Sequence, residues 1–249
     1  MASTSETGHA KNVANFEDLI SFCTGYGTSY NPSKNNIKIP QLTTLRTNAT
    51  NAIQVVKTTK TAFDNTTNVR ETTFANLKKL STRIVNALEA TDATKQTVDD
   101  AKTINRKIQG KRADNSKSAK TTPTTTTPTA EPTDSSISVS QQSFDSLIDG
   151  FTKLIQVVTS EPLYLPNETD VKVVTLNILL TNMKAANTNV INAATSYSNA
   201  RITRNTTLYA ADTGLTDIAG EVKKYVKSVF GATSPQYKQI SKLKFTKPR

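Results

Sequence analysis

Apolar residues recur at spacings of three and four along two long stretches of the chain. In the first, Leu42, Leu45, Ala49, Ala52, Val56 and Phe63 form one stripe. In the second, Leu176, Leu179, Met183, Ala186, Val190, Ala193, Tyr197, Ala200 and Leu208 do the same. This period places every apolar group on one face of a helix. The pattern predicts long helices near 40–73 and 168–209. Shorter periodic runs predict helices near 15–24 and 143–159, 76–90 and 215–230, and 94–108 and 234–244. Pro32, Pro40, Pro162 and Pro166 punctuate the pattern, as does the turn DTGLTD around Gly214. Gly231 and Pro235 suit the turn before the last helix, and Thr94 and Ser234 have the chemistry of N-caps.

The two sets of helices resemble each other. FEDLISF from Phe16 matches FDSLIDGF from Phe144. A gap-free register then sets Tyr30 against Tyr164, Pro32 against Pro166, Lys38 against Lys172, and Leu42 against Leu176. It continues through Leu45 and Leu179, Asn48 and Asn182, and Asn65 and Asn199, to Arg70 and Arg204. Identical pairs are more frequent than this biased composition gives by chance, which is the mark of an internal repeat. The expected fold is all-α: two homologous four-helix units. A long helix beside short ones leaves part of its seam open. The preferred arrangement therefore packs the two long helices at the centre of one pseudo-two-fold bundle. The alternative is two separate bundles on a flexible tether.

The expected organisation is a flexible N-terminal tail at 1–14, a first repeat at 15–110, a linker at 111–140, a second repeat at 141–245 and a basic tail at 246–249. The linker reading rests on KRADNSKSAKTTPTTTTPTAEPTDSSISVS, which has three prolines and almost nothing apolar. Such a segment buries too little surface to offset the entropy of ordering it.

Composition changes the picture in two ways. The 249 residues include 42 Thr and 21 Asn, while only 35% are hydrophobic and Trp is absent. Thr and Asn are mediocre helix formers, so packing of the stripes has to hold the helices. The net charge is +11, which favours encounter with acidic partners. It is concentrated in two runs: Lys102, Arg106, Lys107, Lys111 and Arg112, then Lys238, Lys242, Lys244, Lys247 and Arg249. Each lies at the end of a repeat. They are candidate anion or nucleic-acid contacts, although cations near helix C-termini are also favourable on dipole grounds alone. Arg70 and Arg204 match in position on or beside the stripe, where a guanidinium needs an acceptor. They are expected to make structural helix–helix contacts, with symmetry-related anion or partner contacts as the sharper reading.

Catalytic signals are sparse. The single histidine, His9, falls in the expected tail and is read as a disordered surface residue. Cys23, the single cysteine, reads as a small buried residue and rules out an internal disulfide. Glu17–Asp18 and Asp99–Asp100 read as solvated or dipole-compensating pairs. There is no phosphate-binding glycine loop, nucleophile elbow or His-Glu-x-x-His motif. Asn-x-Ser/Thr triplets such as those at Asn48, Asn65, Asn167 and Asn205 are expected from composition. No metal site and no cofactor are expected. No run approaches the ~18 apolar residues of a membrane span. The start has no apolar signal core, which makes the cytoplasm the default expectation.

Three segments carry a family resemblance: GHAKNVANFEDLISFCTGYG at Gly8, ALEATDATKQTVDDAKTINRKIQGKR at Ala87 and VFGATSPQYKQISKLKF at Val229. The chain resembles a group of helical tandem-repeat proteins from Bacteroidota-type bacteria. The resemblance implies a bacterial origin and a repeated helical build, and it implies no activity. The expected function is a non-enzymatic structural or protein-interaction scaffold, self-assembling or bound to a protein partner. The alternative is a basic nucleic-acid-associated protein.

Overall fold

The computed structural model describes residues 4–111 and 142–247. These form α-helices joined by turns and short 3-10 segments, with no strand among the described residues. In chain order the helices are α1 (Thr4–Gly25), α2 (Ile39–Phe74), α3 (Leu77–Glu89), α4 (Lys95–Gln109), α5 (Phe144–Ser160), α6 (Val173–Tyr209), α7 (Leu215–Phe230) and α8 (Pro235–Ser241). Residues 112–141, which include all of the expected linker but Lys111, lie outside the described residues.

Local chemistry explains the boundaries. Thr94 and Ser234 accept from the backbone N–H of Thr97 and Tyr237, satisfying free donors at the starts of α4 and α8. Pro40 sits in the first turn of α2, where its missing N–H has no partner to lose. Gly110 ends α4 in the left-handed region at φ 72°. Gly214 opens α7 at a close approach: a Cβ there would lie 2.5 Å from the backbone nitrogen of Ala210.

The threonines of the long helices satisfy themselves. Thr43, Thr44, Thr47, Thr50, Thr59, Thr61, Thr72 and Thr73 each donate their hydroxyl to the carbonyl four residues back. This bond keeps the hydroxyl paired on an exposed face, but it does not make threonine a strong helix former. At 36 residues, α2 is about 54 Å long. None of its residues from Lys57 to Thr73 is buried.

The described chain divides into two units. The first comprises Met1–Asn65 with Asn192–Arg249, and the second is Thr66–Ile191. Both divisions fall inside the long helices. In the first unit α1 packs on α7 and α8. Its core contains Phe16, Leu19, Leu42, Leu208, Leu215, Val222 and Ile240, all at or near zero exposure. In the second unit α3, α4 and α5 pack on one another. Its core contains Ile84, Leu88, Ile108, Phe151, Leu154, Leu176 and Met183. Each unit therefore combines helices from both sides of residues 112–141. Burial of each such side chain contributes about 1.5–3 kcal/mol.

One expectation is overturned. The segment expected as a flexible tail is helical from Thr4, as the start of α1. His9 and Asn12 are buried at 3% and 1% exposure. The reason is that His9, Asn12, Phe16, Leu19 and Cys23 share the inward face of α1. Two of these five are polar, so a search for apolar periodicity stops at Phe16.

Candidate interaction surfaces

The expected basic positions serve different ends. Lys102 bridges α4 to Glu89 at the end of α3, with Nζ 2.5 Å from the carboxylate. Arg106 donates to Thr103 within α4 at 3.0 Å. Arg106 and Lys107 occupy the last turn of α4, where they complement its dipole, and Lys111 is exposed just beyond. Lys238, Lys242 and Lys244 are exposed on and after α8. Lys247 pairs with Asp217 at 2.7 Å. The hydrogen bond from Lys247 holds the Asp217 carboxyl below the usual carboxylate range. Arg112 and Arg249 lie outside the described residues. The first run belongs to the second unit and the second run to the first unit.

Arg70 and Arg204 meet different surroundings. Arg70 donates to the side-chain oxygen of Asn187 at 3.1 Å, and Asn187 in turn donates to Asp145 at 2.7 Å. The guanidinium of Arg70 also lies 4.0 Å from the ring centroid of Phe144. It thus ties α2 to α5 and α6 by a helix–helix hydrogen bond and a cation–π contact. Arg204 is more deeply buried, at 3% exposure, and donates from Nε and Nη2 to Asn205.

Segment 243–247 is held along α1. The Asn12 side chain donates to the Thr246 carbonyl at 2.7 Å and accepts from its N–H at 3.0 Å, as a paired peptide group would. Asn15 donates to the Lys244 carbonyl at 2.6 Å, and Lys223 donates to the Leu243 carbonyl. Phe245 meets Phe16 edge to face, with centroids 6.4 Å apart. His9 Nδ1 lies 2.5 Å from the Tyr209 hydroxyl. Sequence reasoning missed this clasp because Asn12, Asn15 and Phe16 meet partners more than two hundred residues away.

The Cys23 thiol is buried, and that burial pushes its pKa up to about 12. A thiol so disfavoured as thiolate is a packing group rather than a nucleophile. Among the described residues, no group of three or more His, Cys, Asp and Glu is placed to hold a metal ion. No described helix is long and apolar enough to cross a membrane.

The concave surfaces are open grooves. One of about 540 Å³ runs between α3 and α6 and is lined by Leu80, Ile178 and Leu179. Another of about 520 Å³ lies between α3 and the turn carrying Leu163, Leu165 and Pro166. Arg83 lines both. Large apolar side chains stand exposed nearby in sequence: Leu165 at 81%, Val174 at 72% and Ile178 at 57%. Val174 and Ile178 fall in VVTLNILL, which is apolar on more than the stripe face. Comparison of the chain with protein-family models, curated proteins and solved structures gives no match.

Proposed function

We propose that the chain is a non-enzymatic helical scaffold that works through protein–protein contact, including contact between copies of itself. The observation that carries this reading is the exposed apolar set Leu165, Val174 and Ile178 on the second unit, beside shallow grooves rather than an enclosed cleft. Large apolar groups left in water on a helical surface favour association. Two cations of the basic runs, Lys102 and Lys247, are already committed to carboxylates of their own unit, which weakens the nucleic-acid alternative.

The duplicated architecture belongs to the same proposal. Two features beyond sequence register support it. Tyr30 donates its hydroxyl to the Ile37 carbonyl at 2.6 Å, and Tyr164 donates to the Val171 carbonyl at 2.9 Å. Helix α3 buries Leu77, Ser81, Ile84 and Leu88, and helix α7 buries Leu215, Ala219, Val222 and Val226 at the same spacing. A bacterial origin, implied by the family resemblance, is part of this reading.

Light scattering across a concentration series, in low and high salt and with added DNA or RNA, tests the proposal. Oligomers that persist in high salt and weaken in Leu165→Ser/Val174→Ser/Ile178→Ser support the scaffold. A monomer that is retained on nucleic acid and released by salt overturns it in favour of the alternative.

A further inference from the structure

Within each unit, a helix that follows a long helix packs against a 3-10 turn that precedes the other long helix. Helix α3 meets the turn Thr169–Val171, and α7 meets the turn Asn35–Ile37. The matched burial of α3 and α7 puts Arg83 and Glu221 at the same place, each one residue before a buried core position, Ile84 or Val222. Their charges are opposite.

The turns they face are opposite too. In the second unit the Arg83 guanidinium grips both oxygens of Asp170, with Nη2 3.1 Å from Oδ1, and Glu168 adds a second negative charge nearby. In the first unit Lys34 donates to Glu221 at 2.6 Å. The segment 34–38 reads Lys-Asn-Asn-Ile-Lys and holds no acid, whereas 168–172 reads Glu-Thr-Asp-Val-Lys. The ion pair is therefore kept in both units with its polarity reversed.

We propose that Arg83 and Glu221 are pairing-selective residues: they admit the turn from the far side of residues 112–141 and reject the turn from their own side. Pairing α3 with its own preceding turn would bring Arg83 to Lys34. Pairing α7 with its own would bring Glu221 to Glu168 and Asp170. Both alternatives join like charges, which are repulsive where the observed pairs attract. Reaching either alternative requires the intervening long helix, α2 or α6, to break and fold back on itself. The apolar cores discriminate less sharply, because four buried positions of α3 and four of α7 share one spacing. Arg83, Asp170 and Lys34 are exposed and Glu221 is half-buried, so selection arises from the contrast between attraction and repulsion at two sites rather than from the strength of either pair.

The experiment uses the full chain carrying Cys23→Ala. Spin labels on cysteines at the exposed positions Ser21 and Lys238 report the approach of α1 to α8 in the first unit. The parent is expected to give one short distance. Arg83→Glu/Glu221→Arg makes the observed pairs repulsive and the alternative pairs attractive. It is expected to lower the thermal midpoint by ~2–5 °C and to add a population at longer distance. Adding Lys34→Glu, Glu168→Lys and Asp170→Lys inverts the whole code and is expected to restore the parental midpoint and the single distance. If the two-site variant keeps both parental values, or if full inversion fails to recover what that variant lost, the proposal is overturned. This holds equally where the two-site variant does not fold.

Discussion

The two units close their seams with different polar contacts. Asn12 and Asn15 hold segment 243–247 along α1, whereas Gln142 donates to the Lys107 carbonyl and Gln109 to the Lys78 carbonyl. The first unit buries His9, Asn12 and Arg204, whereas the second buries Ser81 and Asn187. Beneath these differences lie similar apolar cores built on Phe16 and Phe151. The contrast separates two jobs. Apolar side chains supply the driving force and are nearly interchangeable in kind. Polar side chains differ between the units and decide which surface meets which.

The core comparison should break hardest. Phe16→Ala and Phe151→Ala each remove a fully buried ring and are expected to cost about 3–5 kcal/mol in urea unfolding. Similar costs would show that both units rest on the same kind of core. A smaller loss, roughly 1–3 kcal/mol, is expected for Gly214→Ala, because the new Cβ meets the Ala210 backbone at 2.5 Å. Hydrogen exchange should place that damage in α7, with α3 protected as before.

The clasp comes next. Asn12→Ala leaves both backbone groups of Thr246 without the amide that pairs them, at a cost of about 1–3 kcal/mol. Exchange of amides at 243–247 should accelerate. Gln142→Ala, which removes a more exposed bond in the second unit, should cost less than Asn12→Ala.

The smallest effects are in pH. Burial raises the Cys23 pKa from 9.0 to about 12, so the thiol supports the folded state below pH 9. That support is lost as pH rises from 9 toward 12. Alkylation of Cys23 at pH 8 should accordingly be slow and should follow unfolding. Asp170 and Asp217, one in each unit, both sit below their ordinary value of 3.8 through hydrogen bonds from Arg83 and Lys247. Their stabilisation is present above that value and disappears as pH falls below it. Thermal midpoints of Asp170→Asn and Asp217→Asn should therefore converge on wild type toward pH 2.

Much of the secondary structure was legible because it is decided locally. The ends of α3, α4 and α7 fall within a residue or two of where periodicity placed them. Thr94 and Ser234 cap as their chemistry suggested. The start of α1 was illegible because its inward face carries His9 and Asn12, whose partners Tyr209 and Thr246 are about two hundred residues away or more. VVTLNILL carries apolar residues off the stripe face, but the sequence did not say that Val174 and Ile178 stay exposed, since an apolar residue does not say whether a neighbour will cover it. Arg70 and Arg204 were singled out as a matched pair, yet one stacks on Phe144 and the other bonds Asn205.

The order of residues alone determined that this chain is helical, where its helices stop and which face of each is oily, because those properties depend on neighbours three or four positions away. Only tertiary structure decided that α1 packs with α7 and α8 while α5 packs with α3 and α4. Hydrophobic attraction is non-directional and treats similar stripes alike. The choice among them falls to hydrogen bonds and ion pairs between residues far apart in the chain, which have no local signature.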